Sequence, residues 1–454
     1  MTKSASAYRK RRHALVTRCP DRAIVIGAGR EIERNIPSIR YPYRASSHFL
    51  FFAGRWSAGA VLVVTEEGSH VFLEDSTPLS ALWHGDDFDR QEAASRFGID
   101  RIWSRQDLPS LLESLSGLAL ESIVRSDPPL ETLLAQQAGA RSHSKEFWEA
   151  LVDLRLVADE LGLEQIKLAV ATTQLSLLRA MDLVAPGETE VTVEFAIEEA
   201  MRLHGMQPAF PSIVTVRGDV LHNSSGLRPM QAGELLLVDC GAETELGYAA
   251  DVTRVWPVDG RFRPEQLDAY ALVLEAQQTA IAMLKSGVRY RDVHLAAALV
   301  MARGLVALGL LRGDPESLVE RGAHALFFPH GIGHLLGLDV HDLEDLGDLA
   351  GYPHDRKRSS QFGLSHLRLD RDLATGMVVT VEPGFYVNPA VFSESSLVDH
   401  LREAINFELV SVFEKVRGIR IEDDVLILDS GSVVLSAGIP RAVDEIEHRI
   451  SSAT

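Results

Sequence analysis

The chain has two cysteines, Cys19 and Cys240, in 454 residues. That is too few for a disulfide framework, so packing must hold the fold, and a reducing compartment fits. Basic excess is missing as well. Lysine and arginine number 45 against 64 aspartates and glutamates, a net charge of -19. No cationic surplus is left to displace counterions from a nucleic acid or to bind an anionic membrane. No apolar run reaches the ~20 residues of a membrane span; the most apolar stretch, HFLFFAGRWSAGAVLVV, is broken by Arg55. The basic start, MTKSASAYRKRRHALVTRC, leads into no apolar signal segment. It reads as an amphipathic first helix, with an organelle transit peptide as the minor alternative. Tandem repeats and low-complexity tracts are absent too. The expectation is a soluble, cytoplasmic protein with neither nucleic-acid nor membrane partner.

What is present is an ordinary globular composition, 46% hydrophobic and 24% charged. Single cores stop growing near ~250–300 residues, so the chain divides into at least two domains. Residues 1–140 alternate short apolar runs (AIVIGAG, GAVLVVTE, HVFLED) with helical stretches such as DLPSLLESLSGLA, the pattern of a small α/β unit. The small, polar segment QQAGARSHSKEF, 136–147, reads as a linker, which gives domains 1–145 and 146–454. A helical zone spans 145–205, with Thr189 and Thr192 as candidate caps. SIVTVRG, ELLLVDCG and DVTRVWPV follow as strands. A helical block near 264–312 then precedes the strands MVVTVEPGFYV and GIRIEDDVLIL. The fold class is α/β (α+β), its larger domain built from two helix-plus-strand halves.

Four of those strand-like stretches carry acids where apolar residues belong: Asp239 in LLLVDCG, Asp251 in YAADVTR, Glu382 in TVEPG and Glu422 in IRIEDDV. Any one alone is more often a solvated turn residue. Buried together they favour protonation unless cations share the space. Four carboxylates balance two divalent ions and leave a bridging hydroxide as nucleophile. Oxygen donors with one imidazole favour Mn²⁺ over thiolate-seeking zinc. Cys240, beside Asp239, points to the opposite face of an extended strand and is not needed as a ligand. The stretch HGIGHLLGLDVHD, 330–342, gathers three histidines, and glycines at 331 and 333 argue against a regular helix there.

In this order and context the residues resemble the metal-dependent peptidases of the pita-bread fold, the Xaa-Pro aminopeptidases first and the Xaa-Pro dipeptidases next. The resemblance is carried by YPYRASSHFLFFAG in the first domain. In the second it is carried by PSIVTVRGDVLHN, LLLVDCGAETELGYAADVTRVWPVDG, FFPHGIGHLLGLDVHD, VVTVEPGFYV and GIRIEDDVLI. It implies a small N-terminal α/β domain for substrate access and oligomerisation, followed by a pita-bread catalytic domain. It implies metal ligation by Asp239, Asp251, His334, Glu382 and Glu422, with Asp251 and Glu422 bridging two divalent ions, Mn²⁺ first and Zn²⁺ or Co²⁺ as alternatives. His222 and His341 match positions that hold the substrate and the tetrahedral intermediate, and His330 one near the substrate pocket. Glu382 or Glu422 would move the proton, and Arg420 would orient an acid or a substrate carboxylate. Arg254 reads as structural, and Phe385 and Tyr386 as packing.

The activity implied is hydrolysis of the N-terminal Xaa-Pro bond of peptides with proline second, by a homodimer or homotetramer. A dipeptidase restricted to Xaa-Pro dipeptides and a metal-free binding module of the same fold are the competing readings. The chain departs from the family pattern in three places. Asp239 and Asp251 stand one residue further apart than is usual, a difference expected to be absorbed in the turn near Glu243–Leu246. Two inserts follow site motifs: GYPHDRKRSSQFGLSHLRLDRD, and about thirty residues between Tyr386 and Gly418.

Overall fold

The computed structural model describes residues 2–36, 38–85, 88–136 and 144–453. Most of the expected linker, 137–143, lies outside them. The chain forms two compact units, Met1–Leu161 with Glu245–Gly247, and Gly162–Thr244 with Tyr248–Thr454.

In the first unit the basic start forms helix α1 (Lys3–Arg18), whose first turn is capped by the Thr2 hydroxyl accepting from Ala5 N. Two of its arginines are buried: Arg11 donates to Phe51 O at 3.0 Å and Arg12 to Phe52 O at 2.7 Å. A five-stranded mixed sheet follows, built from β1 (Arg22–Gly27), β2 (Val61–Thr65), β3 (Gly68–Leu73), β4 (Arg101–Ser104) and β5 (Ala119–Ile123), in the order β4-β3-β2-β1-β5. Strand β1 runs antiparallel to β2 and parallel to β5. Every residue of β1 after Arg22 is buried, as expected of a central strand covered on both faces. Ala23, Val25, Val61, Val63 and Phe72 pack with Leu108, Leu112, Leu120, Leu130 and Leu134 into one core. Helix α2 (Lys145–Arg155), capped by Ser144, belongs to this unit.

In the second unit the helical zone resolves into α3 (Glu160–Leu183, most of it in this unit) and α4 (Glu190–Leu203). Thr189 is the cap of α4, its hydroxyl accepting from Thr192 N at 3.2 Å; Thr192 itself lies in the first turn. The later helical block is two helices, α5 (Pro264–Met283) and α6 (Tyr290–Ala307). Strands β6 (Ile213–Thr215), β7 (Leu235–Cys240) and β8 (Val252–Pro257) form one sheet in the order β8-β7-β6. Of the later strands, β9 (Val378–Val381), β12 (Asp423–Leu428) and β13 (Gly431–Val434) form a second sheet, and β10 (Gly384–Tyr386) pairs with β11 (Gly418–Arg420).

The β7–β8 ladder pairs Leu235 with Pro257 through to Cys240 with Val252. The same register continues through the Glu243–Ala249 bridge to the Thr244 N to Tyr248 O hydrogen bond. The connection Glu245–Gly247 closes this ladder, and Gly247 adopts φ 88° there. Among the described residues no helix is long and apolar enough to cross a membrane.

Candidate metal centre

Only Asp239 lies within a strand. Asp251 immediately precedes β8, Glu382 follows β9, and Glu422 falls between β11 and β12. At the last three positions the backbone N–H leaves the ladder: Asp251 donates to Asp424 Oδ2 (3.1 Å), Glu382 to Ile332 O (2.8 Å) and Glu422 to Thr253 O (3.0 Å). These bonds draw the separate segments together. Register does the rest. Val381 pairs with Asp423 and Gly384 with Arg420, so Glu382 and Glu422 oppose each other across the gap between two ladders. Arg254, fully buried, fastens β8 to this region by donating to Glu422 O (2.6 Å) and pairing with Asp423 Oδ1 (2.7 Å).

His334 arrives on the glycine-punctuated loop. A side chain at Gly333 would meet Thr380 O at 2.2 Å, so only glycine allows this close approach. The His334 backbone is fixed against Thr380 by N to Oγ1 (3.1 Å) and, in return, Thr380 N to His334 O (3.0 Å). Its Nδ1 faces Leu335 O at 3.0 Å. A carbonyl only accepts, so Nδ1 carries the proton and the Nε2 lone pair faces inward. There Nε2 lies 3.4 Å from Asp251 Oδ2 and 3.6 Å from Glu382 Oε1. One ligand atom each of Asp251, His334 and Glu422 falls within 4.8 Å of the others, and all three residues are buried.

Arg420 joins Asp239 to this group. Its Nη2 donates to Asp239 Oδ2 at 2.5 Å, its Nε to Thr253 Oγ1 at 2.9 Å and its Nη1 to the Tyr386 hydroxyl at 3.1 Å. The Thr253 hydroxyl in turn donates to Glu422 Oε2 at 2.7 Å. The Tyr386 hydroxyl lies 2.9 Å from His330 Nε2, while His330 Nδ1 faces Gly331 O at 2.8 Å. A directed chain results, Arg420 to Tyr386 to neutral His330. Burial, followed by the nearby Arg420 charge, holds the His330 imidazole down at about 3.

In the metal-free chain the carboxylates crowd one another. Burial first, and then the charges of Glu422, Asp239, Asp424 and Glu382, push the Asp251 carboxyl well above its usual range. Burial and the neighbouring Glu382 and Asp239 do the same to Glu422, and burial raises Glu382 to about 7. Burial lowers His334 to about 3, so its imidazole is neutral. Asp239 Oδ1 and Asp251 Oδ1 are buried with no hydrogen-bond partner. Unsatisfied carboxylate oxygens beside an inward-facing imidazole lone pair are what a divalent cation requires, so the residues fit such a group.

The other expected residues stand as follows. The His341 ring lies against that of His334 in a tilted contact, centroids 4.2 Å apart, with its side chain 40% exposed. His222 is exposed on a turn and makes no hydrogen bond or ion pair among the described residues. Its loop is anchored at both ends by the buried Glu190, whose carboxylate accepts from Val216 N (2.7 Å) and Gly226 N (2.5 Å). Cys240 is fully buried, with burial pushing its thiol well up. Sequence reasoning missed Thr253 and the polar role of Tyr386. Thr253 was within reach, since it stands two residues after Asp251 and therefore on the same strand face.

A sequence model described as metallopeptidase family M24 matches residues 164–429, and one described as the aminopeptidase P N-terminal domain matches residues 8–123. The chain is 31% identical to the Xaa-Pro aminopeptidase of Escherichia coli K12, over 98% of its own length and 97% of the relative's. It is 30% identical to that of Haemophilus influenzae, over 94% and 93%. Among solved structures, it is similar to aminopeptidase P from E. coli with the inhibitor Pro-Leu. That match has a TM-score of 0.83 at 29% identity and covers 100% of this chain and 99% of the other.

Proposed function

The chain belongs to metallopeptidase family M24, and from that premise we propose that it removes the N-terminal residue from peptides whose second residue is proline. The pita-bread fold expected from sequence is the fold of its structural neighbours, and the E. coli and H. influenzae relatives bear the Xaa-Pro aminopeptidase name. The observation that carries the assignment is the convergence of Asp251, His334 and Glu422, with Glu382 3.6 Å from His334 and Asp239 joined through Arg420, and with carboxylate oxygens of Asp239 and Asp251 left without hydrogen-bond partners. A binding module of the same fold has no use for such a set.

These five residues would hold two divalent ions, which when bound lower the pKa of a water molecule and polarise a carbonyl. Mn²⁺ suits the oxygen-rich donor set, ahead of Zn²⁺ and Co²⁺. Water adds to the carbonyl carbon of the first residue, the bond to the proline nitrogen breaks, and the water's proton moves to that nitrogen. Glu422 Oε2 is committed to Thr253, whereas the Glu382 carboxylate lies between His334 (3.6 Å) and His330 (3.7 Å). Glu382 is therefore the better carrier of that proton. His341, at the edge of the cluster, stabilises the developing oxyanion, and His222 holds the substrate on its anchored loop. Arg420 orients Asp239.

The N-terminal domain, 1–145 by the sequence division, serves access and association. Its exposed Ile32, Ile36, Ile39 and Tyr41, with Leu79, Leu82 and Trp83, are apolar side chains of the kind that a homodimer or homotetramer would cover. The acidic balance supports a cytoplasmic enzyme with no nucleic-acid partner.

The test offers the Mn²⁺-loaded protein an Xaa-Pro dipeptide and an Xaa-Pro-Yaa-Zaa peptide side by side. Release of the first residue from the longer peptide supports the proposal. Cleavage of the dipeptide alone moves the chain to the dipeptidases, and cleavage of neither removes the peptidase reading.

A further inference from the structure

His341 is the most exposed of the histidines gathered at the cluster, and a ring so placed needs something to fix its direction. On one side its ring meets that of His334, centroids 4.2 Å apart and planes tilted by 54°. On the other side, Nδ1 lies 3.5 Å from Glu344 Oε2, at the outer limit of a hydrogen bond. Glu344 is itself held: Arg368 Nη1 donates to the same Oε2 at 2.6 Å. The turn that brings Glu344 back under His341 passes through Leu343 at φ 64°, a left-handed conformation rare for leucine. Leu343 is fully buried, and that burial offsets the backbone cost. Burial opposes ionisation of Glu344, but the His341 and Arg368 interactions outweigh it and hold the carboxyl down at about 2. Arg368 belongs to the polar insert that separates the LDVHD stretch from the Glu382 motif.

We propose that Glu344 and Arg368 are positioning residues for the Xaa-Pro cleavage: a carboxylate–guanidinium clamp, delivered by the insert, that fixes the His341 ring toward the reacting carbonyl. The proposal rests on the reading of His341 as the oxyanion-stabilising residue. Glu344 touches no reacting atom and acts through His341 alone. The insert then has a role at the site, because it supplies the cation that keeps Glu344 in place.

The experiment is a double-mutant cycle on the full chain, Glu344→Ala and His341→Ala separately and together, with Xaa-Pro-Yaa-Zaa as substrate. Metal content and melting temperature are measured on every variant. Glu344→Ala is expected to lower kcat by roughly 10–100-fold with KM within about twofold, the scale on which a misplaced group costs activity. Metal content stays as in the parent. Once His341 is alanine, removing Glu344 costs nothing further. Arg368→Lys, which keeps one donor, falls between the parent and Arg368→Ala. Equal losses from Glu344→Ala in both backgrounds would overturn the clamp, as would loss of bound metal in that variant. An active His341→Ala protein would instead overturn the reading of His341 on which the clamp rests.

Discussion

Replacing Arg420 with methionine removes a guanidinium buried among the site's carboxylates. The side chain is buried, and its bonds reach Asp239 Oδ2 (2.5 Å), Thr253 Oγ1 (2.9 Å) and the Tyr386 hydroxyl (3.1 Å). The charge-assisted bond to Asp239 is worth about 1.5–3 kcal/mol and each neutral bond about 0.5–1.5 kcal/mol. Against these stands the relief of no longer burying a cation, so the net cost is about 3–5 kcal/mol, the usual result of leaving one member of a buried pair alone. At about 2–3 °C per kcal/mol for a unit of this size, the metal-free protein should melt roughly 6–15 °C lower. Bound cations take over part of the compensation of Asp239, so the loss should be smaller when Mn²⁺ is present. Differential scanning calorimetry of parent and variant, with chelator and with Mn²⁺, measures both. A metal-free shift under about 2 °C, or equal shifts in the two conditions, would refute the reasoning that Arg420 balances an otherwise uncompensated carboxylate group.

Metal binding should stabilise the protein more as pH rises. Asp251, Glu382 (about 7) and Glu422 have carboxyls raised in the folded metal-free chain. The folded state then binds more protons than the unfolded one above the ordinary carboxyl range, and metal-free stability falls as pH climbs through about 7. Ions replace those protons, so the Mn²⁺-minus-chelator difference in Tm should widen between pH 5 and 8, and a constant difference would count against the cluster. Glu190→Ala strands two backbone donors, Val216 N and Gly226 N. It should cost about 2–4 kcal/mol and lower kcat/KM through the His222 loop, read by thermal melts and steady-state kinetics. Cys19 and Cys240 are both buried, with burial raising each thiol. A thiol reagent should therefore label neither in the native protein and both after denaturation.

The gathering of the acids was legible because each one interrupts an apolar strand-like run, a signal that survives without knowledge of pairing. Arg420 was legible for a related reason: it stands two residues before Glu422, on the same strand face. Tyr386 was not, since its hydroxyl meets Arg420 only through the β10–β11 pairing of segments about thirty residues apart. A lone aromatic after a strand-like run reads as packing. Glu344 and Arg368 escaped notice because their contact depends on a left-handed turn at Leu343 and on the path of an insert. The placement of three acids just outside the strands was also beyond the pattern, because it depends on where backbone donors find other partners.

The central claim is that Asp239, Asp251, His334, Glu382 and Glu422 hold two divalent ions on which peptide cleavage depends. The measurement that tests it most directly is metal content per chain after Mn²⁺ loading and desalting, for the parent and for Glu422→Gln and Asp239→Asn, with activity recorded on the same samples. The account predicts two ions in the parent, fewer in each variant, and activity lost in step with the ions. A parent that retains no divalent ion, or variants that retain both ions and full activity, would contradict it.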